Sequence, residues 1–269
     1  MKRTIITTVL IAVLASGLAF ANGAQEGGGS QASQGKIAVT FAGTEAATTT
    51  QSRMMQAVAD RLNEDGRFDA EVIVAGALSG DTDALVTQAR LGVPLVVPSD
   101  PGRLASQFNI PDLNILMAPY ILTDPAVLET LPDTELFAEW SSQLEEQGVV
   151  LIADMYNGFR NFYTTDRVEN VDDLSGMRIR GFGNDIGNAL AKYFGFANIA
   201  ISFGDVFPGI QQGMLDDEAG YYEQFRQNGV TITEVDISEF QDAIAPLYEN
   251  NDLGFSPGLK DRLFEQLGL

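Results

Sequence analysis

The sequence predicts an α/β fold, and three observations support this prediction. Short apolar stretches rich in Val, Ile and Phe alternate along the chain with longer amphipathic stretches of helical period. Strands and helices in alternation are typical of sheets that carry helices on their faces. The chain has 269 residues, 45% of them hydrophobic, which is enough to bury the core of one large domain or of two modest lobes.

Residues 1–21 have the pattern of a cleaved secretory signal peptide. Lys2 and Arg3 precede a long apolar run, and the segment ends with Ala19-Phe20-Ala21. An uncleaved membrane anchor is the alternative, but a helix needs about 20 apolar residues to span a bilayer and polar residues interrupt this run. Residues 22–35 are rich in Gly, Ser and Gln, a composition that predicts a flexible tether.

After the tether the pattern predicts a β-α-β unit. Residues 37–43 and 69–76 alternate as strands do, and residues 50–64 place apolar side chains at helical spacing. The prediction continues with a helix at 81–91, a short buried strand at 93–97, helices at 101–108 and 131–147, and an apolar strand at 149–155.

The second half of the chain predicts a second sheet, beginning near Tyr156. Its elements are strands at 159–165, 177–181, 199–203 and 230–235, and helices at 184–194, 205–215, 219–228, 238–250 and 257–267. We therefore expect a first lobe at 36–155, completed by about 230–269, and a second lobe at 156–229.

The charge of the chain excludes several partners. It has 16 basic and 37 acidic residues and a formal net charge of -21. Such a surface repels phosphate backbones and anionic membrane surfaces, so we expect no nucleic-acid partner. Any anion that binds must find a local positive site.

Histidine and cysteine are both absent. Their absence removes the usual ligands of structural zinc, thiol nucleophiles and the imidazole base of a Ser-His-Asp triad. Asp65, Asp69, Asp81 and Asp83 form no calcium-binding loop, and a solvated helix N-terminus explains them better. We predict no metal, no cofactor and no enzyme, while hydrolysis by a pair of carboxylates stays open as an alternative.

A glycine-rich turn follows one predicted strand and opens a helix. Gly181, Gly183 and Gly187 lie in the context that a dinucleotide-binding loop requires, but the spacing GxGxxxG is a variant of that motif. We favour a tight strand-to-helix turn, capped by Asn184 or Asp185, over a nucleotide site.

Two arginines, Arg160 and Arg180, mark the candidate binding site, and both are predicted at strand ends. A guanidinium group presents a planar fork that pairs two-to-two with a carboxylate. Two of them in one cleft would therefore recognise an organic acid by shape and charge. Spacing alone leaves an alternative open, in which both are exposed strand arginines paired with some of the many acidic residues.

Four stretches, taken together, resemble the solute-binding proteins of TRAP transporters, secreted receptors that deliver organic acids to a sodium-driven membrane carrier. They are ALSGD at 77–81 with QARLG at 88–92, IPDLNIL at 110–116 with APY at 118–120, NGFR at 157–160 with DLSGMRIR at 173–180, and FGDVF at 203–207 with IQQG at 210–213 and Asp216. Four matches in the family's order are far more specific than any one of them.

The resemblance implies roles for individual residues. Arg180 would be the principal carboxylate clamp, in a charge-assisted pair worth on the order of 1.5 to 3 kcal/mol. Arg160 would be a second contact, with Asn157 beside it in the same motif. Phe203 would pack against the carbon skeleton of the ligand.

Asp100 and Arg103 fall where family members that bind sialic acid carry an acidic residue and an arginine. The chain also departs from the family. After Asp216, several dozen residues of the family pattern are missing, among them a ligand-contacting Asn, a pair of hinge-crossing strands and a long helix. Gly181-Phe182 stands where the family more often has Val-Pro.

By this resemblance we expect a two-lobed, periplasmic-binding-protein-like (type II) α/β fold with a hinge and an inter-lobe cleft. The protein would be a periplasmic receptor that captures a small carboxylate and delivers it to the membrane subunits of a TRAP transporter, performing no chemistry itself. Two alternatives stay open, a secreted carboxylate-dependent hydrolase and a shortened receptor that binds nothing.

Overall fold

A computed structural model describes residues 36–181, 183–201, 217–218 and 233–269, with two small parallel sheets. The first sheet has the strand order β2-β1-β3, with β1 at Ile37–Ala42, β2 at Phe68–Ile73 and β3 at Leu95–Val96. All its pairings are parallel. Helix α1, Thr50–Asp65, joins β1 to β2, so the predicted β-α-β unit is confirmed.

Helix α2, Thr82–Arg90, joins β2 to β3, and its first turn explains Asp81 and Asp83. The same explanation is wrong for Asp65, which ends α1, and for Asp69, which lies in β2. The carboxylate of Asp81 accepts a hydrogen bond from the backbone N–H of Asp83 at 2.9 Å, which makes Asp81 the N-cap. Within the described residues no group of acidic side chains is arranged to hold a metal ion. The predicted helix N-terminus is confirmed.

Helix α3, Pro101–Phe108, has the bounds that the sequence predicts. Asp100 caps it, because its carboxylate accepts from the N–H of Arg103 at 2.8 Å. Proline suits the first helical position, where its missing N–H costs no hydrogen bond. The helix ends at Asn109, whose φ of 54° is left-handed.

The first core packs around α3, two 3-10 segments at Pro111–Leu116 and Pro125–Asp133, and helix α4 at Glu135–Glu145. The last helix of the chain, Leu259–Leu267, also packs into it. Its fully buried side chains include Ile115, Leu136, Trp140, Leu144, Leu259 and Leu263. The first core therefore combines the N-terminal half of the chain with the C-terminal end.

The second sheet has the strand order β5-β4-β6, all parallel, with β4 at Arg178–Arg180, β5 at Ala197–Ile199 and β6 at Asp217–Glu218. Helix α5, Asp185–Phe194, joins β4 to β5. Strand β5 begins and ends earlier than the predicted strand at 199–203. The prediction was wrong in its bounds, because Ala200 and Ile201 are not in a strand, while residues 202–203 lie outside the described residues.

The second core lies on this sheet and takes in helix α6, Ile237–Glu249. Its buried residues are Leu174, Ile179, Ile186, Ala189, Phe194, Phe196, Phe240, Ile244, Leu247 and Leu253. Helix α6 thus packs with the second core, whereas the last helix, α7 at Leu259–Leu267, packs with the first. The lobe boundaries given above stay a prediction.

Two predicted strands, at 149–155 and 159–165, are wrong. The described chain has no strand there apart from a single bridge residue, Thr164. Val149 and Leu151 pack against the first core, while Val150 and Ile152 are 65% and 68% exposed. The alternation is that of a strand, but a strand also needs a hydrogen-bonded neighbour, and none is found among the described residues.

Several predictions fall outside the described residues. They are the signal peptide at 1–21, the tether at 22–35, the helices at 205–215 and 219–228, and part of the strand at 230–235, of which the described residues 233–235 are not in a strand. In the part of the chain that is described, no helix is both long and apolar enough to cross a membrane.

Candidate functional site

A cavity of about 520 Å³, here called the arginine cavity, is lined by both Arg160 and Arg180. The two arginines are 20 residues apart in the sequence and reach the same cavity from different segments of the chain. Much of the described wall is apolar or aromatic and includes Tyr120, Phe159, Phe162, Leu190, Phe194 and Phe196. The cavity therefore combines a cationic pair with a surface suited to a carbon skeleton.

Arg180 is held by the second sheet. It is the last residue of β4, between β5 and β6, and is half-buried. Ile179 points to the opposite face and is 2% exposed, so alternation along the strand fixes the side from which Arg180 projects. Its Nε donates a hydrogen bond to the carbonyl of Ile201 at 3.4 Å.

Arg160 lies on the extended stretch that follows the first core, and it is exposed. The prediction that it ends a strand is wrong, since this stretch forms no strand. Phe159, next to it, also lines the arginine cavity and forms an edge-to-face pair with Tyr156, with ring centroids 5.6 Å apart. Asn157 is exposed near the start of the same stretch and is not part of the described wall.

The aromatic part of the wall is anchored in the second core. Phe162 makes edge-to-face contacts with Phe194 and Phe196, at centroid distances of 6.1 Å and 5.8 Å. Such pairs stabilise by about 0.5–1.5 kcal/mol beyond the area they bury. Through Phe162 the stretch that carries Arg160 is attached to the helix and strand that follow Arg180.

Tyr120 enters the cavity wall with a strained backbone. Its φ of 60° is left-handed, which is unusual for a bulky side chain. The hydroxyl of Tyr248 donates a hydrogen bond to the carbonyl of Pro119, fixing the turn. Burial raises the pKa of Tyr120, and burial together with Tyr120 raises that of Tyr248, so both hydroxyls stay neutral.

A second cavity, of about 340 Å³, lies between α3 and the start of α5 and is here called the junction cavity. Its described wall is polar. The lining residues are Asp83, Arg103, Ser106, Gln107, Gly183 and Asn184.

Arg103 is the cation of the junction cavity, and two carboxylates hold it. Its guanidinium lies 2.9 Å from Asp83 and 3.3 Å from Asp100. Burial by itself would lower the pKa of Arg103, but the two carboxylates outweigh burial and raise it. Arg103 is thus permanently charged and already compensated within the protein.

The glycine-rich turn is the capped strand-to-helix turn that the sequence favours. The side chain of Asn184 accepts from the N–H of Gly187 at 3.1 Å and caps α5. A Cβ on Gly181 would lie 2.2 Å from Oδ1 of Asn198, on the neighbouring strand. The side chain of Asn198 therefore occupies the space that a side chain at position 181 would need.

The structure groups the predicted site residues unevenly. It brings Arg160 and Arg180 to one cavity, and it places Arg103, with Asp100 beside it, at the other. Phe203 lies outside the described residues. The contacts of all these predicted site residues with a ligand stay predictions.

Sequence reasoning missed Tyr120 and the aromatic residues around Arg160. Phe159 and Phe162 flank that arginine in the sequence, and this proximity could have indicated them. The left-handed backbone of Tyr120 has no sequence signal, since such a conformation depends on the surrounding contacts.

Comparison with known proteins identifies the family. The model of the bacterial extracellular solute-binding proteins, family 7 (DctP), matches residues 41–218. A solute-binding protein of Chromohalobacter salexigens is 24% identical over 166 residues, which are 61% of this chain and 48% of that protein. The chain spans about half the length of the curated relatives it matches.

Solved structures show the fold. A TRAP periplasmic solute-binding protein of Ochrobacterium anthropi, with bound L-fuconate, superposes with a TM-score of 0.77 at 21% identity, covering 86% of this chain and 99% of that one. One from Xanthobacter autotrophicus, with bound β-D-galacturonate, gives 0.74 at 19% identity with the same coverage. The predicted two-lobed type II periplasmic-binding fold is confirmed. The chain belongs to the DctP family of bacterial extracellular solute-binding proteins.

Proposed function

We propose that this protein is a periplasmic receptor that captures a small organic acid in the arginine cavity. The observation that carries the proposal is the convergence of Arg160 and Arg180 on one cavity with an aromatic wall. The family match and the residues that resemble the TRAP receptors support it. Asn157, Phe203, Asp100 and Arg103 belong to the proposal as further contacts.

The charge distribution favours an anion at this place. The chain as a whole carries a net charge of -21, so an acid is attracted only where cations are concentrated. A guanidinium pairs with a carboxylate through two parallel hydrogen bonds, and such a charge-assisted pair contributes about 1.5–3 kcal/mol. Two arginines at one cavity are sufficient to orient a carboxylate.

The size and lining of the cavity favour a sugar acid or an acid of similar size. A volume of about 520 Å³ lies in the range of small-molecule sites. The rings of Phe159, Phe162 and Phe194 offer apolar surface to the C–H face of a carbon chain. The solved relatives with L-fuconate and β-D-galacturonate support this ligand class.

The partners follow from the family. We propose that the signal peptide at 1–21 directs export and is cleaved, and that the receptor delivers its ligand to the membrane subunits of a sodium-driven TRAP transporter. The ligand would close the two lobes, 36–155 with about 230–269, and 156–229, about a hinge. Closure is driven by the difference in the ligand's affinity for the open and closed states.

A thermal-shift screen tests the proposal. The panel contains L-fuconate, D-galacturonate, D-glucuronate, a keto acid and a C4 dicarboxylate, and we expect at least one acid to raise the melting temperature. Arg180→Ala should abolish that shift, because the carboxylate loses its principal partner. Arg178→Ala is the matched control, since Arg178 lies two residues earlier on β4 and outside the described wall.

A melting temperature that no acid raises would contradict the proposal and favour the shortened receptor that binds nothing. Equal shifts in the wild type and in Arg180→Ala would show that an acid binds elsewhere. A variant that unfolds without ligand is recognised from its circular dichroism spectrum, and Arg180→Lys then replaces it. The lysine keeps the charge but cannot form two parallel hydrogen bonds.

A further inference from the structure

The side chain of Asn114 is buried without a hydrogen-bond partner. It lies in the 3-10 segment Pro111–Leu116, is 0% exposed, and neither Oδ1 nor Nδ2 has a partner among the described residues. A buried polar group left unpaired costs about 1–3 kcal/mol. Folded proteins contain few such groups, so Asn114 requires an explanation.

A complementary donor lies close by on the other side of the junction. Asn184 is 8% exposed, and its Oδ1 is occupied by the N–H of Gly187. Its Nδ2 lies beside Gly102 of α3. Asn184 lines the junction cavity, and among the described residues the hydrogen bond found for its side chain is the one that Oδ1 accepts.

Gly102 shows how near the two side chains are. A Cβ on Gly102 would lie 2.7 Å from Nδ2 of Asn184 and 3.4 Å from Oδ1 of Asn114. Donor and acceptor therefore both lie beside one point, and because residue 102 is a glycine only a hydrogen atom occupies it. A relative shift of about 3 Å or less would bring them within hydrogen-bond distance.

The two asparagines belong to different parts of the molecule. Asn114 lies between Leu113 and Ile115, which are buried in the first core. Asn184 caps α5, whose Ile186 and Ala189 are buried in the second core. A hydrogen bond between them would therefore join the two cores, and it would form or break as one core moves against the other.

We propose that Asn114 is a positioning residue. It stabilises the ligand-bound state by accepting a hydrogen bond from Asn184. In the arrangement described above the bond is open, and the unpaired carboxamide of Asn114 raises the free energy of that state. Closure around an acid brings Nδ2 of Asn184 to Oδ1 of Asn114. The inference rests on the proposed function, since the hydrogen bond would contribute part of the free energy of closure around the ligand.

The test compares Asn114→Leu with the wild type. Leucine has the branching of asparagine at Cγ and removes both unpaired groups, so the melting temperature of the ligand-free protein should hold or rise. D-galacturonate, D-glucuronate and L-fuconate are each titrated by calorimetry into the wild type and the variant. For the acid that stabilises the wild type, the affinity of the variant should be about 2- to 10-fold lower, which corresponds to one hydrogen bond. A purely structural role would leave affinity unchanged.

A second variant isolates the pair. Asn184→Ser keeps an oxygen that can cap α5 but removes the amide donor. Asn184→Ser should weaken affinity for the acid to a similar extent. The affinity of the double variant should lie within about twofold of that of Asn114→Leu, because the two substitutions remove the same hydrogen bond. Asn170→Ser is the matched control, since Asn170 caps the 3-10 segment Val171–Leu174 and touches neither cavity.

The outcomes separate this inference from the proposed function. A wild type that binds one of the acids, with Asn114→Leu binding it equally well, overturns the role of Asn114 and leaves the receptor function intact. Additive losses in the double variant also overturn it. A wild type that binds none of the acids contradicts the receptor function and this inference with it.

Discussion

The arginine cavity and the junction cavity place the same side chain in opposite surroundings. At the junction, Arg103 lies between two carboxylates, and the wall around it is polar. In the arginine cavity, Arg160 and Arg180 share a wall that is largely aromatic. An arginine paired with two carboxylates beside a polar cavity stabilises the protein itself, whereas the aromatic wall around Arg160 and Arg180 supports our proposal that they contact a ligand. Composition cannot make this distinction, because it depends on which side chains form the wall of each cavity.

The largest effect that tests this difference concerns the arginines themselves. Arg160→Gln should weaken binding of the stabilising acid about 10- to 100-fold, because a charge-assisted pair is lost. Arg103→Gln should weaken it less than about fivefold, since Asp83 and Asp100 already occupy its guanidinium. Calorimetric titration of both variants measures the difference. Equal losses would show that Arg103 contacts the ligand as strongly as Arg160 does.

A smaller effect compares two glycines, one on each cavity wall. Gly181→Ala should reduce the free energy of unfolding by about 1–3 kcal/mol, because the new Cβ would lie 2.2 Å from the side chain of Asn198. Gly183→Ala meets the Cβ of Ala200 at 3.3 Å and should cost under about 1 kcal/mol. Urea unfolding of both measures this. Similar midpoints would mean that the side chain of Asn198 moves aside at little cost.

The smallest effect concerns the support of the arginine cavity. Tyr248→Phe removes the hydrogen bond to Pro119 and should lower the free energy of unfolding by about 1 kcal/mol. Tyr193→Phe is the control, because Tyr193 also donates from its hydroxyl, at 2.5 Å to Asp252, but in an exposed place. It should cost under about 0.5 kcal/mol. If thermal unfolding shows a larger loss of stability for Tyr193→Phe than for Tyr248→Phe, Tyr248 does not support the turn at Tyr120.

Local signals made part of the fold predictable. Asp100 followed by Pro101 marks the start of α3, and the bounds of that helix agree with the prediction. Residues 149–155 have an equally clear strand pattern, yet they form none in the described chain. A helix satisfies its own backbone, whereas a strand depends on a neighbour that may lie anywhere in the sequence. This difference explains why the bounds of α3 were predicted and why the strand predicted at 149–155 was wrong.

The candidate site was predictable only in part. The convergence of Arg160 and Arg180 was expected from resemblance to a family, since 20 residues of spacing do not place two side chains at one cavity. The ion pair of Arg103 with Asp83 joins two helices and has no local pattern. The unpaired state of Asn114 depends on packing in every direction around it, which no sequence window contains.

The position of α7 has a consequence for how the protein folds. Leu259, Leu263 and Leu267 belong to the first core, so the N-terminal half of the chain cannot complete its packing until residues 259–267 have been synthesised. A core that needs so distant a segment stays incomplete while the residues between are synthesised.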